Sequence, residues 1–116
     1  MFRDLNAILE DGENYTVEFK SSPDKTLPQE VCAFANASGG RIFIGVNDEG
    51  NILGTDTGNV ARSKIQDTIN QITPTLSVKI IVCKKIIVID VPQGKNKPYS
   101  CSKGFFLRSG PNSQKL

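Results

Sequence analysis

Ala33-Phe34-Ala35-Asn36-Ala37-Ser38-Gly39-Gly40-Arg41-Ile42-Phe43-Ile44-Gly45-Val46-Asn47-Asp48-Glu49-Gly50 packs a helix end, a stop, a strand and a turn into one short stretch. Val31, Phe34, Ala35 and Ser38 fall at i, i+3, i+4 and i+7, the spacing of one helix face. Thr26 followed by Gln29 has the form of a capping box, and Pro28 suits a first turn, where a missing N–H does no harm. Gly39-Gly40 stops the helix, because glycine takes left-handed backbone cheaply. Arg41 to Val46 is a short apolar run, the mark of a buried strand, and Asn47 to Gly50 is a turn. The small residues Ala33, Ala35 and Ala37 let the helix approach a sheet closely. Gly45 permits a close backbone approach. Asn36 is suited to a backbone hydrogen bond at the helix end, with a ligand contact as the other reading.

Working outward, Leu5, Ile8 and Leu9 predict a short helix over residues 3–10, ended by Asp11-Gly12. Tyr15, Val17 and Phe19 alternate with Thr16, Glu18 and Lys20, which predicts a strand with one apolar and one polar face. Downstream, Asn51 to Gly54 begins a returning strand. Asn59 caps a long helix whose less polar face is Ala61, Ile65, Thr68, Ile69 and Ile72. Residues 76–82 and 85–91 read as two strands joined at Cys83-Lys84, and 92–98 is a basic loop. Tyr99 to Cys101 and Phe105 to Arg108 form a hairpin through Ser102-Lys103-Gly104. Gly110 to Ser113 resembles a turn into a helix N-cap, so a longer parent protein is expected to continue beyond Leu116. Helices and strands are interspersed without strict βαβ alternation. The expected fold is α+β: a single domain over residues 1–116, with a mixed, mostly antiparallel sheet and two to three packed helices.

Composition narrows the chemistry. The chain has 116 residues, 38% hydrophobic and 22% charged, which is ordinary globular composition. There is no histidine, so a Ser-His-Asp or Cys-His mechanism within this chain is excluded. Cys32, Cys83 and Cys101 form no Cys-x-x-Cys pair, which speaks against structural zinc and for free thiols in a reducing compartment. The longest apolar runs are too short to span a bilayer, and the N-terminus has no signal-peptide pattern. A cytoplasmic protein with no membrane partner is the expectation. Charge is uneven: residues 1–78 hold 6 Lys/Arg and 11 Asp/Glu, whereas residues 79–116 hold 8 Lys/Arg and only Asp90. Such asymmetry points to an anionic partner for the C-terminal part, unless folding interleaves the two halves.

The quoted stretch, with Glu18-Phe19-Lys20 before it and Phe106-Leu107-Arg108-Ser109-Gly110 after it, closely resembles the Schlafen/Alba-type DNA-binding domain family. The resemblance covers roughly Glu13 to Asn112. It implies a Schlafen core-like lobe, found mostly as the N-terminal part of transcriptional regulators or RecG-related helicase-like proteins. Because Schlafen cores pair two lobes, it also raises a homodimer.

Three functions follow as expectations. The first is a nucleic-acid-binding module, with DNA favoured over RNA. It would grip phosphates through Lys95 and Lys97 in the loop, Lys103 in the hairpin turn and Arg108, with Lys20 and Arg41 joining from neighbouring strands. No helix carries an Arg/Asn/Gln array for major-groove reading, so sequence specificity is expected to be low. Tyr99 and Phe105 flank the hairpin and could stack on bases, although for Phe105 the core is the favoured place. The second is a metal-dependent nuclease lobe, since Glu13, Glu18 and Asp48 resemble the acidic trio of Schlafen nucleases. Magnesium or manganese would be the cofactor in that case alone. Glu13 and Glu18, five apart, would lie on opposite faces of a regular strand, and they meet only if Glu13 lies in the entry loop or the strand is bulged. If the third ligand position is Asn47 and not Asp48, the trio is broken. The competing reading makes Glu18 and Lys20 a solvated charge pattern, Asp48 a turn residue and Glu13 a surface residue. The third function is a protein-interaction or dimerisation module. No Gly-x-x-x-x-Gly-Lys-Ser/Thr loop is present, so ATP hydrolysis is not expected here.

Overall fold

A computed structural model describes residues 5–116 of the chain. The elements are α1 (Leu5–Asp11), β1 (Val17–Lys20), α2 (Leu27–Asn36), β2 (Gly40–Ile44), α3 (Asn59–Asn70), β3 (Lys79–Cys83), β4 (Ile86–Val91), β5 (Ser100–Cys101), β6 (Gly104–Ser109) and β7 (Asn112–Lys115). Four strands form a mixed sheet in the order β1-β2-β4-β3. Only β1 and β2 run parallel, joined through α2. A smaller antiparallel sheet has the order β5-β6-β7. The α+β expectation, mixed and mostly antiparallel with three helices, therefore holds. The portion of the first predicted helix at Arg3-Asp4 lies outside the described residues.

The apolar runs of β2 and β4 reflect burial on both faces. Ile42, Ile44, Ile87, Ile89 and Val91 face α2 and α3, while Phe43, Ile86 and Val88 face α1 and Leu9. α2 is enclosed almost all round: Val31, Cys32, Ala33, Phe34 and Ala35 have no exposed surface. It lies between the main sheet and the small one, whose Tyr99 and Phe106 join the same core. Small side chains at 32, 33 and 35 make that double contact possible, because interiors pack without voids.

The reversal after α2 depends on its two glycines. Gly39 has φ +81°, and a Cβ there would stand 2.7 Å from the Val91 carbonyl. A Cβ on Gly40 would stand 2.5 Å from the Phe34 ring. Gly45 (φ +103°) lies against the backbone of Gly54, the close approach expected of it.

Several local expectations are corrected. Thr26 does not form the capping box. Its hydroxyl bonds Asp24 and receives the Lys20 ammonium, so the side chain is committed away from the helix. The cap of α3 is Gly58, and the Asn59 side chain instead accepts from Arg62. Asn51 to Gly54 contributes only an isolated bridge, Val46 to Ile52, and no strand. The turn between β3 and β4 falls at Lys84-Lys85, with Lys84 at φ +55°. Asn112-Ser113 starts no helix. Gly110-Pro111 turns the chain back, and β7 pairs with β6. Here ladder hydrogen bonds and the Arg108–Ser113 contact outcompete a helix cap.

Candidate functional site

The predicted acids come together through a bend. Asn14 and Val17 exchange backbone hydrogen bonds at 3.0 and 3.3 Å, and the Asn14 side chain receives the Thr16 N–H at 2.8 Å. This tight loop folds Glu13 back along the edge strand β1, where its carboxylate accepts the Phe19 N–H at 2.9 Å. Glu13, Glu18, Glu30 and Asp48 then line one cleft of about 270 Å³, closed on one side by Asn112 and Ser113 of the β6–β7 hairpin. Asn47 is spent on its own turn, where its side chain accepts the N–H groups of Glu49 and Asn51. It is Asp48, therefore, that reaches the cleft. Sharing a cleft is less than sharing an ion: among the described residues no group of three such side chains stands close enough to hold a metal. Carboxylates suit a hard cation in kind, but as arranged these do not fit one, with Glu13 held by Phe19 and Glu18 by Arg108.

Glu18 and Lys20 are not a solvated pattern. Lys20 is 8% exposed, and its ammonium lies 2.8 Å from Asp24, 2.9 Å from Glu30 and 2.8 Å from the Thr26 hydroxyl. Burial works against its charge, but the two carboxylates outweigh burial and hold its pKa above the ordinary lysine value. Asp24 responds in the opposite sense: burial works against its charge, yet Lys20 and Thr26 hold its pKa low. Burial raises Glu30 despite Lys20.

Arg108 is 3% exposed. One guanidinium nitrogen donates to Glu18 at 2.7 Å and to the Ser113 hydroxyl at 3.1 Å. The other donates to the carbonyls of Asn14 at 2.9 Å and Val17 at 3.1 Å. The group also stacks 4.5 Å from the centre of the Phe34 ring. Arg108 thus joins β6 to the bend that makes the cleft.

Burial, and then the Glu13 carboxylate, which can accept a hydrogen bond from the protonated form, push the Glu18 carboxyl up to about 8, against the pull of Arg108. A carboxyl raised from 4.5 binds its proton more tightly when folded, so its stabilising contribution is complete below about pH 4.5 and is lost as pH rises through about 8. Tm is expected to fall across that window, and to fall less in Glu18→Gln. Parallel Tm profiles for the two proteins would remove Glu18 as the source.

Of the six predicted phosphate ligands, Lys20 and Arg108 are internal. Arg41, Lys95, Lys97 and Lys103 are exposed. Arg41 sits on β2 opposite Asp90. Lys97 donates to the Ala37 carbonyl at 3.0 Å, tying the basic loop to the end of α2. Tyr99, 2% exposed, anchors that loop from inside by accepting the Asn96 N–H at 3.0 Å. Of the two hairpin rings Phe105 is the exposed one, reversing the expected preference for the core. Asn36 does bond to backbone, although not at its own helix end: it holds Tyr99 and Phe106 in the small sheet. Lys115 joins the basic surface without a signal in the sequence, because its place depends on the β6–β7 turn, which brings its side chain over Gly104.

Among the described residues no helix is long and apolar enough to cross a membrane. The family model "Schlafen, AlbA_2" matches residues 13–116. Among solved structures, the DIP2311 protein from Corynebacterium diphtheriae is similar in fold, with a TM-score of 0.65 at 18% identity over 88% of this chain. The chain spans only 22% of that protein's length.

Proposed function

Since the chain belongs to the Schlafen, AlbA_2 family, we propose that it is a nucleic-acid-binding module that grips the phosphate backbone with little sequence specificity. The observation that carries this reading is the acid-free segment from Val91 to Leu116, which sets exposed Lys95, Lys97 and Lys103 on the surface while Arg108 balances the internal acids. Flexible lysines suit sequence-independent phosphate contact. DNA is the favoured ligand. The module serves as the N-terminal domain of a longer regulator or RecG-related helicase-like protein, and a homodimer would double its basic surface. Lys20 drops out as a ligand because its ammonium is already satisfied on three sides.

The test is fluorescence anisotropy with labelled duplex DNA, single-stranded DNA and hairpin RNA across a salt series, with and without magnesium. Affinity is expected to fall steeply with salt, and the slope of log K against log salt to become shallower by about 1–2 in Lys95→Gln/Lys97→Gln. An unchanged slope would take those residues out of the interface. Magnesium-dependent cleavage of the probes would replace the binding module with a nuclease.

A further inference from the structure

The small sheet has two unlike faces. On β6, Phe106 and Arg108 point inward and are buried, while Phe105 is 43% and Leu107 37% exposed on the opposite face. Leu116, 71% exposed, extends this face, its N–H donating to the Phe105 carbonyl at 2.8 Å. Side chains paired across a strand share a side of the sheet, so Phe105, Leu107 and Leu116 form one outward apolar strip.

The surroundings of the strip are cationic. Lys103, in the turn just before Phe105, is exposed. From Val91 to the end of the chain there are five Lys/Arg and no acid. The acid that pairs with this sheet, Glu18, meets Arg108 on the inner face. A surface that is apolar and aromatic at its centre, cationic at its edge and free of acids complements a polyanion carrying flat apolar rings.

We propose that the outer face of the β5–β6–β7 sheet is a stacking platform for the bases of single-stranded nucleic acid, with Phe105 as the anchor. The inference rests on the nucleic-acid reading above and sharpens its ligand class from phosphate backbone to unpaired strand. A duplex hides the faces of its bases, whereas a single strand offers them to an aromatic ring. Lys103, in the turn beside Phe105, holds the phosphate next to the stacked base. Sequence preference stays weak, because every base has a face to stack.

Phe105 is exposed enough for substitution to leave the fold intact, which circular dichroism would confirm for each variant. Phe105→Ala is expected to weaken binding of a labelled single-stranded oligonucleotide roughly 5- to 100-fold, with less than a twofold change for duplex DNA. The chain has no tryptophan, so Phe105→Trp supplies a lone indole at the platform. It is expected to retain single-strand affinity and to lose fluorescence as the oligonucleotide stacks on it. Single-strand affinity unchanged in Phe105→Ala, with the lysine-dependent salt slope intact, overturns the platform and spares the binding module. No binding to any probe overturns both. A concentration-dependent dimer that Phe105→Ala abolishes, with single-strand binding unaltered, gives the strip to a second copy of the chain and also overturns the platform.

Discussion

Arg108→Ala should melt roughly 12–20 °C below the parent protein, from a loss of about 3–5 kcal/mol. The residue resembles a surface phosphate ligand in sequence, but it occupies the junction of the two sheets. Its removal takes from the Asn14 and Val17 carbonyls the charged donor they receive at 2.9 and 3.1 Å, leaving each only its backbone partner across the bend. It also removes the cation beside Glu18 and leaves a void against the Phe34 ring. A hydrogen bond to a charged group is worth about 1.5–3 kcal/mol, so the total does not rest on the ion pair alone. Arg108→Lys should recover little, because one ammonium cannot serve four acceptors fixed in a planar fork. Glu18→Gln combined with Arg108→Ala should lose less than the sum of the single losses, since the two groups are partners. Thermal denaturation of the five proteins, the parent, the three single variants and the double variant, is the measurement. An Arg108→Ala melt within about 3 °C of the parent would show that the bend and the β6–β7 hairpin hold together without it.

Asn36→Ala should cost about 2–4 kcal/mol, or roughly 8–16 °C in Tm. The Asn36 amide is fully used: its nitrogen donates to the carbonyls of Tyr99 and Phe106, each at 2.9 Å, and its oxygen accepts the Tyr99 N–H at 2.6 Å. β5 is only two residues long, so these bonds do much of the work of seating it on α2. The loss should be local as well as global. Hydrogen exchange at the Tyr99 amide should speed up far more than at the amides of β4. Asn36→Asp should be no better than alanine, because it removes both donors and faces a carboxylate toward two carbonyl oxygens. If Asn36→Asp proved as stable as the parent, or exchange at Tyr99 were unaltered, the seating role would be lost.

The residues differ in how much their neighbours in sequence say about them. Phe34, Gly39, Gly40 and Ile42 act within a few positions of each other. Helix periodicity, left-handed glycine backbone and an apolar run are local steric facts, so α2, the reversal and β2 are legible in the amino-acid sequence. The β5–β6 hairpin is legible for the same reason. Lys20 and Arg108 are not. A cation reads as a surface residue unless acceptors surround it, and the carboxylate that meets Arg108 lies 90 positions away. Tyr99 is buried and Phe105 exposed because α2 lies on one side of the small sheet, and strand alternation then assigns each ring a side. Asn112-Ser113 carries a helix-cap pattern, but the available partner is a strand.

The candidate cleft divides along the same line. Glu13, Glu18 and Asp48 are identifiable through a family resemblance, and the odd spacing of the two glutamates shows that a regular strand would separate them. Their convergence depends on the Asn14–Val17 bend, which Arg108 stabilises from the far end of the chain. By itself, the sequence determined the α+β class, the helix–Gly-Gly–strand unit and the excess of positive charge after residue 78, because propensity, glycine backbone freedom and composition are properties of neighbouring residues. The tertiary structure decided which cations face solvent, which aromatic ring is exposed and how far the acids approach each other. Those outcomes depend on desolvation and on hydrogen-bond partners, which distant segments of the chain supply only once it has folded.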